Sequence, residues 1–339
     1  MAKRVSLKDI AEKVGVSVAL VSYVLNDRFK NRISKTVADK IRKAAEELDY
    51  RPNQIARSLK TSKTFTIGLI VADIANPFSS MLARIIEDEA AVYGYTVISG
   101  SSDEDLGKFK KLIDAFMKRQ VDGLIILPPE GAEPQLLDLI RTKKPFVIAD
   151  RYFREIEANC VNVDNIKAAY DAVTQFVNNG KRRIAMMGYE TRLQHLNDRI
   201  EGYRNALNTA GILFDEQLLK KVHIKNDPEE ITAAAAALLS SEMGIDALLF
   251  GSNRIAVHAL KYIRDNNIHV PEDIQLIGFD ETEVFDFFLP QISFVKQPMQ
   301  QLGQKATALL MQSMAGNETR EKIFIPAELI IRASAMNKQ

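Results

Sequence analysis

SLKDIAEKVGVSVALVSYVLN, residues 6–26, decides how the rest of the chain is read. Leu7, Ile10, Ala11 and Val14 recur at i, i+3, i+4 and i+7, the spacing of an amphipathic helix with one apolar stripe. Gly15 stops that helix. Ser17 can cap a second one beginning at Val18, with Val16 placed to pack on Val21 as a hydrophobic staple. Val21, Val24 and Leu25 then face the first helix, which leaves Val18, Ala19, Ser22, Tyr23 and Asn26 outward. Two short helices across a three-residue turn containing glycine make a helix-turn-helix, whose second helix fits a DNA major groove. The same spacing would serve a plain hairpin of core helices, so charge has to decide between them.

Residues 1–63 hold 15 Lys and Arg against 7 Asp and Glu, a balance of +8, whereas the whole chain is only +1. The remaining residues therefore carry −7. A small basic unit on an acidic body is the footprint of a head that binds phosphate backbones. A third helix follows, with Ser34 as its cap, Val37, Ile41, Ala44 and Leu48 as its buried stripe, and Tyr50-Arg51-Pro52 as its stop. The head is thus expected over 1–51. The two helix-compatible turns at 53–60 are too short to be stable alone, because nucleation outweighs so few hydrogen bonds. They are expected to be disordered unless something packs on them, and the bland alternative is a plain linker over 52–63.

From residue 65 the pattern changes. Apolar strand-like runs at 65–72, 95–99, 121–127 and 145–149 alternate with helical runs at 77–93, 104–119 and 134–141, and a second alternation runs from 161 to 280. Continuous apolar strands separated by helices mean parallel sheets covered on both faces. The expected fold is therefore α/β, a three-helix head followed by two doubly wound lobes. The two-lobed domain is expected to span 64–339, with one lobe at 64–162 plus 293–325 and the other at 163–292 plus 326–339. At 339 residues the chain is long enough for a core in each part.

Two such lobes enclose a cleft at the carboxyl ends of their strands. Asp73, Asn76, Phe78, Asp150, Arg151, Asp164, Arg199, Asn253 and Asp280 sit at those ends, and His195 stands four residues before Arg199. No phosphate-cradling glycine loop and no G-x-S-x-G elbow occurs, and the four histidines have no partner at metal-ligand spacing. The cleft reads as binding without turnover, so the chain is expected to be no enzyme and to use no metal or cofactor. A lone Cys160 excludes an internal disulfide. The basic start lacks an apolar stretch behind it and no run nears the ~18 apolar residues of a membrane span, so a cytoplasmic, membrane-free protein is expected.

Leu7-Lys8-Asp9-Ile10-Ala11, Val16-Ser17, Val21-Ser22, Leu25-Asn26, Arg32-Ile33-Ser34, Tyr50-Arg51-Pro52-Asn53 and Ala56-Arg57-Ser58-Leu59 together closely resemble the LacI/GalR family of transcriptional regulators. The likeness continues through Asn76-Pro77-Phe78, Val163-Asp164-Asn165, Arg199 with Gly202-Tyr203, Gly278-Phe279-Asp280 and Gln297-Pro298, and so covers essentially the whole chain. It implies a homodimer on a near-palindromic double-stranded operator, most often as a repressor. Ser17, Val18, Ala19, Ser22 and Tyr23 would meet base edges, and Asn26 and Arg32 the backbone. Asn53, Ala56, Arg57, Leu59 and Lys60 would form a hinge helix, with Leu59 wedged into the minor groove.

The resemblance also implies a small effector, usually a sugar, held by Asp73, Phe78, Arg151, Asp164, His195, Arg199, Asn253 and Asp280. Hydroxyl pairs suit a guanidinium donor and a carboxylate acceptor. Leu20 and Tyr23 replace the residues many members have, so operator preference does not transfer. Asn253 stands where an aspartate is common, so the effector's identity does not transfer either; the alternatives to a sugar are a purine-type corepressor or a protein co-effector. The final residues lack the apolar heptads that tetramerise some members, which implies a dimer. A receptor of the periplasmic type would share the two lobes but have no basic head.

Overall fold

The computed structural model describes residues 5–26, 32–50, 63–223 and 228–337. The chain divides into two compact units, residues 1–64 and 65–339. In the first, α1 (Leu7–Val14), α2 (Val18–Leu25) and α3 (Lys35–Glu47) pack around fully buried Ile10, Val21 and Ile41. Ser6 and Asp9 form a reciprocal capping box at the start of α1. Gly15 ends α1 at φ 73, a left-handed conformation that suits a residue without Cβ. Ser17 accepts a hydrogen bond from the Leu20 amide and caps α2.

Two expectations for α3 need correcting. Ser34 occupies the cap position but makes no side-chain cap hydrogen bond. The helix also stops before Tyr50: Asp49 turns left-handed (φ 47), and the Tyr50 and Asp49 amides close back on the Ala45 and Glu46 carbonyls. That Schellman closure ends the helix before the proline is reached. The expected hinge, with Asn53, Ala56, Arg57, Leu59 and Lys60, lies outside the described residues.

The second unit holds two sheets. The first runs in the order β11 (Lys322–Ile325), β5 (Asn159–Val163), β4 (Phe146–Ala149), β3 (Gly123–Ile126), β1 (Thr66–Val71), β2 (Thr96–Ser101), and every pair is parallel. Ile67, Leu69 and Val71 point to one face, under α4 (Pro77–Val92) and α12 (Met299–Met314). Ile70 points to the other, under α5 (Leu106–Lys118) and α6 (Glu133–Arg141). Burial on both faces is why these strands are apolar throughout.

The second sheet runs β12 (Glu328–Ile330), β10 (Ser293–Lys296), β9 (Gln275–Phe279), β8 (Ala247–Phe250), β6 (Ile184–Glu190), β7 (Leu219–His223). Only β12 is antiparallel to its neighbour. Helices α7 (Asn165–Asn178) and α8 (Gln194–Thr209) cover one face, and α9 (Pro228–Leu238) and α10 (Asn253–Asp265) the other. The short α11 (Val284–Phe287) inserts Phe285 beside Phe294.

The expected lobe boundary is wrong at one point. Residues 293–296 were expected in the first lobe, but β10 pairs with β9 and β12 and belongs to the second. The chain therefore crosses between lobes after β5, again between β10 and α12, and a third time between β11 and β12.

Candidate functional site

Strands β1, β4, β6, β8 and β9 all end at one cavity of about 100 Å³, and a hollow of about 350 Å³ adjoins it through Asp73, Asn76, Asn253 and Arg254. The strand ends supply Asp73, Asp150, Arg151, Tyr189, Ser252 and Asp280. Asp150 and Asp280 occupy equivalent points in the two lobes and both turn left-handed, at φ 66 and 70. For residues other than glycine that conformation is uncommon, and it clusters where side chains are being aimed.

Arg199 reaches the cavity from α8. Its Nε donates to Asn165 Oδ1 (2.8 Å), its Nη1 to the Gly251 carbonyl (2.7 Å), and its guanidinium lies 4.1 Å over the Phe279 ring. Asp280 accepts from the Asn253 amide (3.3 Å) and from Gln297 Nε2. Arg151 is clamped in a fork on Glu104 (2.5 and 2.9 Å) and also donates to the Pro128 carbonyl (2.8 Å). His195 is 4% exposed, and burial together with the Arg151 and Arg199 charges holds it far below its ordinary pKa, hence neutral.

Four buried polar atoms on this wall have no protein partner: Asp150 Oδ1, Arg151 Nε, His195 Nδ1 and Gln297 Oε1. Buried polar groups are otherwise almost always paired. Burial pushes the Asp150 carboxyl up to about 6, with Asp280 and Glu104 adding to the rise and the two arginines opposing it.

In the first unit, Val18 (44% exposed) and Tyr23 (39%) stand out from α2 beside exposed Ala19, and Ser22 is half-buried. Asn26 folds its side chain back onto the Ser22 carbonyl (2.7 Å), and Arg32 is exposed.

Residues 6–53 match the model of the bacterial regulatory proteins of the lacI family, and residues 173–335 match a periplasmic binding protein-like domain. The HTH-type transcriptional regulator RegA of Clostridium saccharobutylicum is 33% identical over 338 residues, covering 98% of this chain and 99% of RegA. The chain belongs to the lacI family. Two solved structures share the fold of this lacI-family chain. The transcriptional regulator CelR–cellobiose complex has a TM-score of 0.73 at 25% identity, covering 98% of this chain and all of that one. A Lac repressor dimer bound to operator and the anti-inducer ONPF has a TM-score of 0.86 at 22% identity, covering 99% and 100%. The protein is a DNA-binding transcriptional regulator with an effector-binding domain.

Of the expected effector residues, this regulator brings Asp73, Phe78, Arg151, His195, Arg199, Asn253 and Asp280 to one cavity. Asp164 is not among them. It caps α7 by accepting from the Lys167 amide (3.0 Å), so a strand-end aspartate that read as a ligand is a helix cap. Glu104, Tyr189, Ser252 and Gln297 also line the cavity and were not anticipated as contacts. Among the described residues no cluster of three or more His, Cys, Asp or Glu side chains is placed to hold a metal, and no helix is long and apolar enough to cross a membrane.

Asp150→Asn is expected to stabilise the unliganded protein by about 2–3 kcal/mol near pH 7.5, since a rise from 3.8 to about 6 spans roughly two pKa units. The sign follows from the folded state favouring the proton: the penalty of the charged form is absent below about 4, grows through 4–6 and is complete above 6. Melting curves of the two proteins should therefore separate at pH 7.5 and converge near pH 4. Equal melting temperatures at pH 7.5 would show that the carboxylate is better solvated than its burial implies.

Proposed function

We propose that this regulator is a homodimeric repressor whose operator affinity is set by a carbohydrate bound between the lobes. The observation that carries the effector reading is that the four residues with unpartnered buried atoms all line one cavity. They supply acceptors (Asp150 Oδ1, Gln297 Oε1), a donor (Arg151 Nε) and a nitrogen of either kind (His195 Nδ1), which is the mixture that hydroxyls satisfy. Phe78 offers an apolar face for a sugar ring, and the adjoining hollow leaves room for a second unit. CelR, whose complex holds cellobiose, supports the same class. On α2, Val18, Ala19 and Tyr23 are the residues proposed to read base edges, with Arg32 on the phosphates. The homodimer and its near-palindromic site are supported by the operator-bound Lac repressor dimer and by exposed Phe287 (82%) and Leu289 (86%), which a second copy would cover.

A thermal-shift screen of the full-length protein against mono- and disaccharides and purines tests this reading, because a ligand at 100 times its Kd adds about 2.7 kcal/mol. A carbohydrate is expected to raise the melting temperature and to change the mobility of the operator complex. A response to purines alone would overturn the effector class.

Two hydrogen-bonded bridges hold the lobes together beside the cavity. Glu130, between β3 and α6, accepts from Thr191 Oγ1 (2.5 Å), the Arg192 amide (3.1 Å) and Arg192 Nε (3.0 Å), and Tyr152 donates to Asp198 (2.7 Å). Taking about 0.5–1.5 kcal/mol, the net contribution of one hydrogen bond, as the share of the bridge that effector binding feels, Glu130→Ala should weaken binding by about 2- to 13-fold without touching a cavity residue. Titration calorimetry reads this directly, and unchanged affinity would exclude the bridge from ligand binding.

A further inference from the structure

The first strand of the two-lobed unit is gripped where it begins. β1 lies between β2 and β3, with Thr66 opposite Thr96 and Ile67 opposite Gly123, so residue 65 enters the sheet between the starts of both neighbours. Phe65 takes φ 53, a left-handed conformation that is an outlier for a bulky residue and bends the chain away from the line of the strand. Its carbonyl accepts from the Thr96 amide (2.9 Å) on the β2 side, and its amide donates to Asp122 Oδ2 (2.8 Å) on the β3 side. Its ring packs on Tyr95, with centroids 5.6 Å apart. The same three side chains form one cluster: burial raises the Tyr95 hydroxyl pKa, and the Asp122 charge adds to the rise. A strained backbone persists only where its surroundings over-determine it. Here they hold the amide, the carbonyl and the ring at once.

We propose that Asp122 is a positioning residue for operator recognition: with Tyr95 it keeps Phe65 in the left-handed turn and so fixes the direction in which the chain from the DNA-binding unit joins the first lobe. The inference goes beyond the effector reading and holds whichever effector is bound. The first unit ends at residue 64, so Phe65 is the first residue through which the second can steer it. Without the carboxylate, Phe65 relaxes toward the extended conformation that a bulky residue prefers, and the residues before it leave the lobe over a spread of directions. Ordering them again on a specific site costs conformational entropy that the clamped chain has already given up. DNA of unrelated sequence, bound through the phosphate contacts of the basic head, makes no such demand.

The test titrates the full-length protein with two probes, a duplex that the natural protein enriches from a random-sequence pool and poly(dI-dC). Asp122→Ala leaves the ladder in place, because the Asp122 amide still donates to the Thr66 carbonyl (2.8 Å), and its melting temperature should stay within about 3 °C of the parent. It is expected to bind the enriched duplex about ten-fold or more weakly and poly(dI-dC) within two-fold of the parent. Asp122→Asn, which keeps an oxygen acceptor for the Phe65 amide, should bind the enriched duplex within three-fold of the parent. Parental affinity of Asp122→Ala for the enriched duplex, an equal loss on both probes, or an asparagine variant as weak as the alanine one overturns the clamp and leaves the regulator reading standing. Failure of the natural protein to enrich any duplex overturns both.

Discussion

Alanine at Gly202 is expected to lower the melting temperature of the effector-binding unit by about 6–12 °C, the consequence of roughly 3 kcal/mol in a unit of this size. An added Cβ would stand 2.2 Å from the Ile166 carbonyl oxygen and 2.9 Å from the Ala169 Cβ. Neither neighbour can swing aside, because one is backbone and the other is a methyl fixed to it, so α7 and α8 have to separate. Overpacking of well-filled sites costs about 1–3 kcal/mol, and contact with backbone belongs at the upper end. The effect also reaches the cavity. Arg199 lies one turn before Gly202, and its partner Asn165 is next to Ile166, so the crossing that Gly202 permits is the crossing that aims the guanidinium. The folded fraction of Gly202→Ala should therefore bind effector poorly as well. A melting temperature within a degree or two of the parent would show that α8 can tilt outward freely.

Ile10→Ala is expected to remove DNA binding while leaving an effector-binding protein. Ile10 is fully buried in a core completed by Val21, Val24, Ile41 and Ala44, and a unit of about fifty residues has little stability to spare. Truncating a buried isoleucine to alanine costs about 2–5 kcal/mol, comparable to the whole stability of such a unit. Gel shifts should show no operator complex at a hundred times the parent's Kd. The melting transition of residues 65–339 should move by less than a degree. Operator binding within three-fold of the parent would mean that the head is held together by more than its own core.

Most of the architecture was legible because it rests on local repetition. The 3.6-residue stripe of 7–14, the glycine at 15 and the serine at 17 each settle one feature of the head without reference to anything distant. The apolar runs from 65 onward announce buried parallel strands in the same way. What was not legible depends on pairings that sequence neighbours do not record. The stretch SFVK at 293–296 could extend either sheet, and only its ladder with β9 and β12 places it in the second lobe. Glu104 carries no local sign of the arginine 47 residues away that it clamps.

Asp164 was misread for a related reason. An aspartate after a strand and before a helix suits a ligand and a helix cap equally, and the Lys167 amide took it. The start of α8 carries no capping side chain, since Leu193 makes none, so nothing local marks the first turn of the helix that holds His195. Gln297 gave a signal that was seen only as part of a motif: a polar residue between an apolar strand and Pro298, at a crossing point of the chain.

Gln297 stands at the second of the three crossings between the lobes and holds Asp280, so the cavity wall and the crossing, a natural axle for the two lobes, share a side chain. Phe65, through which the preceding chain joins the first lobe, lies at the far end of β1 from Asp73 of the pocket wall, about 20–25 Å of strand away. Over that arm a turn of about 10° at the axle displaces residue 65 by about 4 Å, on the scale by which hinged domains relocate their ends. In the reading proposed above, occupancy of the pocket acts where the chain crosses between the lobes, and the length of β1 magnifies its effect at residue 65.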